Sequence, residues 1–273
     1  MSRSRWETNL AGLCRGLEAF GVANGLAVPG EPSGAATRLA DSLYLAHSAP
    51  DRRFEAICAS GQLLSAKLLA ASAGETLSPA RTEVVMGTAD SVFFYVAPFR
   101  YPNTNCGLLF AASLESERRD DGVATPFDSG WLTKSRARPQ PAEPVRDFLA
   151  RHELPVPEHR RYLGMSMDVL FEKPEDYVEG TEPRWPGPIG LTEGDQRRWT
   201  HEVRIPGRVF VRSSHLQAAF APSARAADDG PIGRLFEWCV ENSVDHIDFE
   251  APKEDDFEGL RRECRAYIRR TLY

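Results

Sequence analysis

An α+β fold is expected for this chain of 273 residues. Segments with strand character and segments with helical spacing are interspersed, without the regular alternation of a doubly wound parallel sheet. Neither G-x-G-x-x-G nor G-x-x-x-x-G-K-[ST] occurs, so neither a standard dinucleotide fold nor a P-loop is supported. The composition, 42% hydrophobic and 26% charged, is that of a globular protein with a substantial core. One large domain, or one domain with an elaborate insertion, fits this length.

The elements follow from local pattern. Leu10, Leu13, Leu17 and Phe20 recur at helical spacing and Gly21 follows, so a helix is expected over Trp6 to Gly21. Gly25 to Thr37 reads as a connection. Ser42 to His47 reads as a short strand. Asp51 resembles an N-cap for a helix over Arg52 to Ser60, stopped by Gly61. Val84 to Met86 and Val92 to Pro98 are expected strands, the second on the strength of Val92-Phe93-Phe94-Tyr95-Val96. Gly107 to Ala112 is either a strand or the start of a buried helix. Ser135 to Pro144, rich in Pro, Arg and Ala, is the clearest internal linker. Val145 to His152 is an expected helix and Pro183 to Gly194 a loop. Thr200 to Ile205 and Val209 to Val211 are expected strands interrupted at Pro206-Gly207. Leu235 to Glu241 and Phe257 to Tyr267 are expected helices, the latter from Phe257, Leu260, Cys264 and Tyr267. These elements divide the chain into an N-terminal helical extension, residues 1–36, and a domain over 37–273 with an inserted loop and helix region around 135–195.

Composition restricts the functional classes. No stretch approaches the roughly 20 apolar residues of a membrane helix. Arg3 and Arg5 have no apolar run behind them, so no signal peptide is expected, and a soluble cytoplasmic protein without a membrane partner is the default. Cys14, Cys58, Cys106, Cys239 and Cys264 are scattered, with no C-x-x-C pair, so no disulfide framework and no cysteine zinc site is expected. The formal net charge of −6 argues against a broad basic surface for nucleic acid. A local basic groove stays open, because Arg197, Arg198, Arg204, Arg208 and Arg212 cluster in sequence.

Three separated segments carry candidate chemistry. The first is Tyr44-Leu45-Ala46-His47-Ser48 with the later Gly61-Gln62-Leu63-Leu64-Ser65. The second is Val92 to Asn103, holding Tyr95, Arg100 and Tyr101. The third is Gln196-Arg197-Arg198-Trp199-Thr200-His201-Glu202-Val203-Arg204-Ile205. Taken singly, each has an ordinary reading: a strand-end histidine, a buried aromatic strand, a surface glutamate. In this order they resemble the ADP-ribosyltransferase superfamily, and in particular the DarT-type DNA-modifying toxins, over roughly Leu43 to Phe220. One departure is Phe99, which stands between the proline and Arg100.

That resemblance implies an NAD cleft between two small, roughly crossed β-sheets. It also implies NAD as co-substrate, with no metal. Glu202 and Arg100 would be the catalytic pair, with His47, Ser48, Gly61, Leu63, Tyr95 and Tyr101 around NAD. His47 and Ser48 would act from the first sheet and Glu202 from the opposite one. Breaking the bond from nicotinamide to ribose builds positive charge on the sugar, which a carboxylate stabilises, and the parallel with glycosidase carboxylates is close. The resemblance implies a nucleic-acid base as acceptor, a toxin or phage-defence role, and an antitoxin as possible partner. A protein acceptor, an NAD glycohydrolase and a non-catalytic binding protein on the same frame are the alternatives. An RNA 2′-phosphotransferase resembles the same fold but would leave Glu202 unexplained.

Other constellations are weaker. His246, Asp248 and Glu250 would share one strand face, but no second histidine stands at ligand spacing. No G-x-S-x-G occurs. Ala124 to Gly130 is polar within an apolar frame and has no counterpart in the resemblance; a turn, or a stretch lining the site, is expected there.

Overall fold

The protein is described from a computed structural model, which covers residues 3–50, 53–54, 57, 60–72, 81–100, 102, 104–118, 120–133, 144–184, 195–211, 214–226, 230–251 and 257–273. Helices and strands mix as expected. The strands are β1 (Leu45–Ser48), β2 (Gln62–Leu64), β3 (Ser91–Val96), β4 (Gly107–Phe110), β5 (Val123–Thr125), β6 (Leu154–Pro155), β7 (Glu202–Pro206), β8 (Arg208–Phe210), β9 (Leu216–Pro222) and β10 (Asp245–Phe249).

These strands do not form two small crossed sheets. The described residues form one eight-stranded sheet, ordered β10-β9-β4-β1-β3-β7-β5-β6, and a two-stranded ribbon of β2 with β8. The reason lies in register. β3 pairs with β7 over five residues, from Ser91 opposite Pro206 to Tyr95 opposite Glu202, and β1 pairs with β3 on its other edge. The strands carrying His47 and Glu202 therefore belong to one sheet, separated by β3. Neighbouring strands are antiparallel except β9 and β10, which run parallel and are joined through the helix Pro231–Glu241. A parallel pair requires such a crossover.

β3 shows the alternation its sequence predicts: Val92, Phe94 and Val96 are buried, while Ser91, Phe93 and Tyr95 are half-buried. Phe94 meets Phe110 edge-on, with ring centroids 5.5 Å apart. All of β4 is buried, and Gly107 has no room for a side chain, since a Cβ there would lie 2.4 Å from the Phe99 ring. The helix Val156–Leu170 packs on the helices Gly34–Ser42 and Arg3–Ala23. Leu10 and Leu13 of the N-terminal helix share a cluster with Leu154 and Tyr162.

Several elements differ from expectation. Val84 to Met86 belong to a helix, Arg81–Met86. Val84 and Val85 are exposed there and only Met86 is buried, so their strand propensity has no sheet to act through. The Gly25–Thr37 connection ends earlier than expected, because Ser33 caps a helix from Gly34 by accepting the Ala36 N–H. The helix Phe257–Leu272 buries Leu260, Cys264, Tyr267 and Ile268. The expected Asp51 cap and the linker around 135–143 lie outside the described residues, as does most of the loop before Gly194.

A smaller core decides the site. Met86, Phe127, Leu132, Val145, Phe148 and Leu149 cluster between the helices Arg81–Met86 and Val145–Ala150 and the 3-10 turn Ser129–Thr133. Phe127 is fully buried in it, which anchors the chain immediately before Asp128 and Ser129.

Candidate active site

The site is built on β7. The 3-10 turn Gln196–Trp199, capped by the Asp195 side chain on the Arg197 N–H, leads the chain into the sheet. Glu202, the first residue of β7, stands opposite Tyr95 of β3 and Thr125 of β5. Directly paired residues project from the same face, so Glu202 shares its face with Tyr95 and Thr125, and Arg204 follows on that face two residues on. Strands on both sides of β7 leave Glu202 only 1% exposed.

A charge so buried needs partners. They come from the turn after β5. The Thr125 hydroxyl donates to the Phe127 carbonyl at 2.9 Å, and the Asp128 N–H donates to the Arg197 carbonyl at 2.9 Å. Thus placed, Ser129 donates through its hydroxyl to Oε1 of Glu202 at 2.6 Å and through its N–H to Oε2 at 3.3 Å. The Gly130 N–H donates to Oδ1 of Asp128 at 2.8 Å. Arg204 Nε lies 3.4 Å from Oε1 of Glu202, and its Nη2 donates to Glu153 at 2.9 Å.

Burial, reinforced by the negative charge of Asp128, pushes the Glu202 carboxyl up to about 8; Arg204 and the Ser129 hydroxyl pull the other way. A side-chain hydrogen bond links Glu202 and Asp128. Burial and that contact both favour the protonated form of Glu202. Burial and the same two carboxylates also raise the Tyr95 phenol well above its ordinary value, so it stays a neutral O–H.

The other residues singled out from sequence are distributed more widely. His47 follows Ala46, which pairs with Tyr95, so alternation turns the His47 side chain to the sheet face away from Glu202. There its ring meets Phe94 at 5.6 Å and its Nδ1 is 2.8 Å from the Phe93 carbonyl. Burial lowers its pKa. Ser48 pairs with Gly107 of β4. Gly61 has a φ of +63°, which suits glycine, and closes a turn through its N–H to the Ile57 carbonyl. Leu63 is buried in the ribbon, opposite Val209.

Arg100 is buried with its guanidinium 4.3 Å from the Tyr177 ring centroid, and it donates to the Tyr177 carbonyl at 2.8 Å. Tyr101 lies outside the described residues. Of the residues proposed from sequence, Glu202 and Tyr95 stand side by side; His47 and Arg100 make their contacts elsewhere.

The arginines around Glu202 do not form a free positive field. Arg197 makes a two-point contact with Asp195, Arg198 pairs with Glu182, and Arg204 pairs with Glu153 and Glu202. Arg208 is exposed, and Arg212 is outside the described residues. Asp128 and Ser129 were not singled out from sequence. The available signal was the polar stretch Ala124 to Gly130, but no local rule ties a turn to a carboxylate 73 residues away. Behind Glu202, His201 and His159 are buried with nitrogens 2.8 Å apart, and burial pushes His201 down to about 3. Among the described residues no group of three or more metal-ligating side chains occurs. His246 rests against Phe236, and Asp248 accepts from the Ser223 hydroxyl.

No family model and no curated protein matches the chain. Among solved structures it is similar to DarT of Thermus sp. 2.9 in complex with ADP-ribosylated ssDNA. That likeness has 11% identity and a TM-score of 0.43, and covers 76% of this chain and 94% of the other. That likeness is distant. No helix among the described residues is long and apolar enough to cross a membrane.

Proposed function

We propose that the protein is an ADP-ribosyltransferase that cleaves NAD and passes ADP-ribose to a macromolecular acceptor, a nucleic-acid base first among them. The observation that carries this reading is the Asp128–Glu202 pair. It lies on a sheet segment resembling the catalytic strand of these enzymes, with Glu202 buried and hydrogen-bonded by Ser129. A carboxylate pair at a raised pKa suits a reaction that develops positive charge and ends by releasing a proton.

The steps balance on these residues. The bond from C1′ of the ribose to the nicotinamide nitrogen breaks, and its electron pair leaves with nicotinamide, cancelling the pyridinium charge. The ionised Glu202 carboxylate faces the oxocarbenium-like sugar and lowers its energy in a low-dielectric site. A nitrogen or oxygen of the acceptor bonds to C1′, and its proton passes to the Glu202 carboxylate. Arg204 limits the repulsion between the two carboxyls.

The Ser129–Glu202 contact supports placing the NAD ribose at Glu202. The Ser129 hydroxyl donates to Glu202 as a ribose 2′-hydroxyl would, so the carboxylate is already arranged for an O–H donor. In this reading the ribose 2′-hydroxyl takes the place of the Ser129 hydroxyl on Glu202, while Asp128 keeps its contact with Glu202. Tyr95 contacts the nicotinamide side, while His47, Ser48, Gly61, Leu63, Arg100 and Tyr101 remain proposed contacts on the resemblance alone. A toxin or phage-defence role, with an antitoxin, belongs to the same proposal.

The test is a transfer assay with labelled NAD, offering single-stranded DNA, duplex DNA, RNA and cell protein separately. Label transfer to one nucleic acid, lost in Glu202→Gln, is the expected result. Transfer to protein would move the acceptor, and nicotinamide release without labelled acceptor would make the enzyme a glycohydrolase. A folded protein that turns over no NAD with any acceptor would overturn the reading. A non-catalytic binding protein would then stand, favoured by the near-complete burial of Glu202.

A further inference from the structure

A cleft of about 480 Å³ opens beside the site, on the β5–β6 edge of the sheet. Arg5, Arg146, Arg151 and Arg204 line it, against only two carboxylates, Asp147 and Glu153. Two of the arginines already meet Glu153, Arg204 at 2.9 Å and Arg5 at 3.6 Å. Arg146 and Arg151 are exposed on the short helix Val145–Ala150 and at its end. The lining also contains Thr88, which is 4% exposed and whose hydroxyl has no hydrogen-bond partner. A buried hydroxyl left without a partner costs folding free energy, so its presence in a cleft lined by cations points to a ligand that accepts hydrogen bonds.

We infer that this cleft binds a phosphodiester of the nucleic-acid acceptor, with Arg146, Arg151 and Thr88 as its contacts and Arg204 as the link to Glu202. The inference rests on the reading of Glu202 as the catalytic carboxylate. Arg204 stands two residues beyond Glu202 on the same face, about 6.6 Å along the strand, so a phosphate held there lies beside the reacting carbon. Planar guanidinium groups match phosphate oxygens by two-point hydrogen bonds. Position selects the acceptor over the pyrophosphate of NAD. The cleft lies across β7 from Tyr95, the residue placed on the nicotinamide side, and displacement at C1′ brings the nucleophile from the side opposite the leaving group.

The experiment is an anisotropy titration of a short fluorescein-labelled single-stranded oligodeoxynucleotide with the full chain, in the absence of NAD, over a range of salt. The wild-type protein is expected to bind, with affinity falling as salt rises. The double variant Arg146→Ala/Arg151→Ala should bind about ten-fold more weakly, with the log–log salt slope reduced by roughly 0.7 for each lost phosphate contact. Thr88→Val should weaken binding while its melting temperature stays level or rises, which a purely structural role would not produce. Arg38→Ala, on the helix Gly34–Ser42, serves as the control. Unchanged binding in both cleft variants would overturn the inference. So would displacement from the cleft by inorganic pyrophosphate or NAD with the oligonucleotide still bound, which would assign the cleft to the donor.

Failure here and failure of the transferase reading separate cleanly. An oligonucleotide held by Arg146 and Arg151 on a protein that never releases nicotinamide would keep the cleft and sink the enzyme. Nicotinamide release by a protein indifferent to these arginines would do the reverse.

Discussion

Ser129 meets both oxygens of Glu202, the hydroxyl at 2.6 Å on Oε1 and the backbone N–H at 3.3 Å on Oε2. One residue of a turn thereby orients a carboxylate that the sheet has removed from water. Hydrogen bonds to an ionised group favour its ionised form, so this contact opposes the burial and the Asp128 charge that raise the Glu202 pKa. The balance can be shifted one partner at a time.

Removing the hydroxyl should shift it upward. In Ser129→Ala the activity that needs ionised Glu202 is expected to appear at higher pH than in the wild type, with a loss of about 1 kcal/mol in stability. The pH profile of nicotinamide release and a urea unfolding curve measure the two effects. An unmoved profile would show that Ser129 does not tune Glu202.

Asp128→Asn should act in the opposite direction. It deletes a negative charge beside Glu202, so the Glu202 pKa falls and the profile extends to lower pH. The variant also lacks the second carboxylate beside Glu202, so its maximal rate should drop by about a hundred-fold, on the scale of losing one general acid or base. A profile shifted upward would contradict the stated cause of the raised pKa.

Glu202→Gln is expected to lose at least about a hundred-fold in activity while gaining stability at alkaline pH. The sign follows from proton binding. The folded carboxyl titrates near 8 and the unfolded one near 4.5, so the native state binds more protons in that window. The stabilisation from the protonated Glu202 is complete below the unfolded value and disappears as pH rises through 8. Glutamine imitates the protonated form and removes that loss. Melting temperatures of the two proteins should converge at acid pH and separate at alkaline pH.

His201 and His159 act at the other end of the scale. Burial holds His201 near 3, against an ordinary value of 6.5, and His159 is likewise held well below its own. The unfolded chain then binds more protons between those values, so stability should fall as pH drops below 6.5 and continue to fall toward 3. His201→Gln should flatten this acid limb in the same melting series. Between 4.5 and 6.5 the histidine and glutamate effects oppose each other, which sets the expected stability maximum near there.

A structural prediction is independent of the site. Arg160 makes two contacts to Glu115, at 2.7 and 2.8 Å, and donates to the Ala40 and Leu43 carbonyls, all buried. Arg160→Ala or Glu115→Ala should each cost about 3–5 kcal/mol, because the remaining charge is stranded. The double replacement Arg160→Met/Glu115→Leu should cost less than the sum, as read from denaturant unfolding.

Much of the local structure is legible in the residues. The alternation from Val92 to Val96 identifies β3 and its buried face, and Leu260, Cys264 and Tyr267 identify the last long helix, because side-chain direction repeats with a period set by backbone geometry. Glu202 at the head of a strand is legible for the same reason. Local period, however, does not say which strands become neighbours. The partnership of β7 with β3 and β5 decided that a single eight-stranded sheet forms, that Glu202 is almost wholly buried, and that His47 faces away from it. The small core around Phe127 decided that Asp128 and Ser129 reach Glu202, Ser129 from 73 residues away in sequence. It also gave Val84 and Val85 an exposed helix instead of a strand. The chain alone determined most of the elements and set Glu202 on a strand. The tertiary structure decided its partners and its protonation, because both depend on charge and burial contributed by segments that meet only in the folded protein.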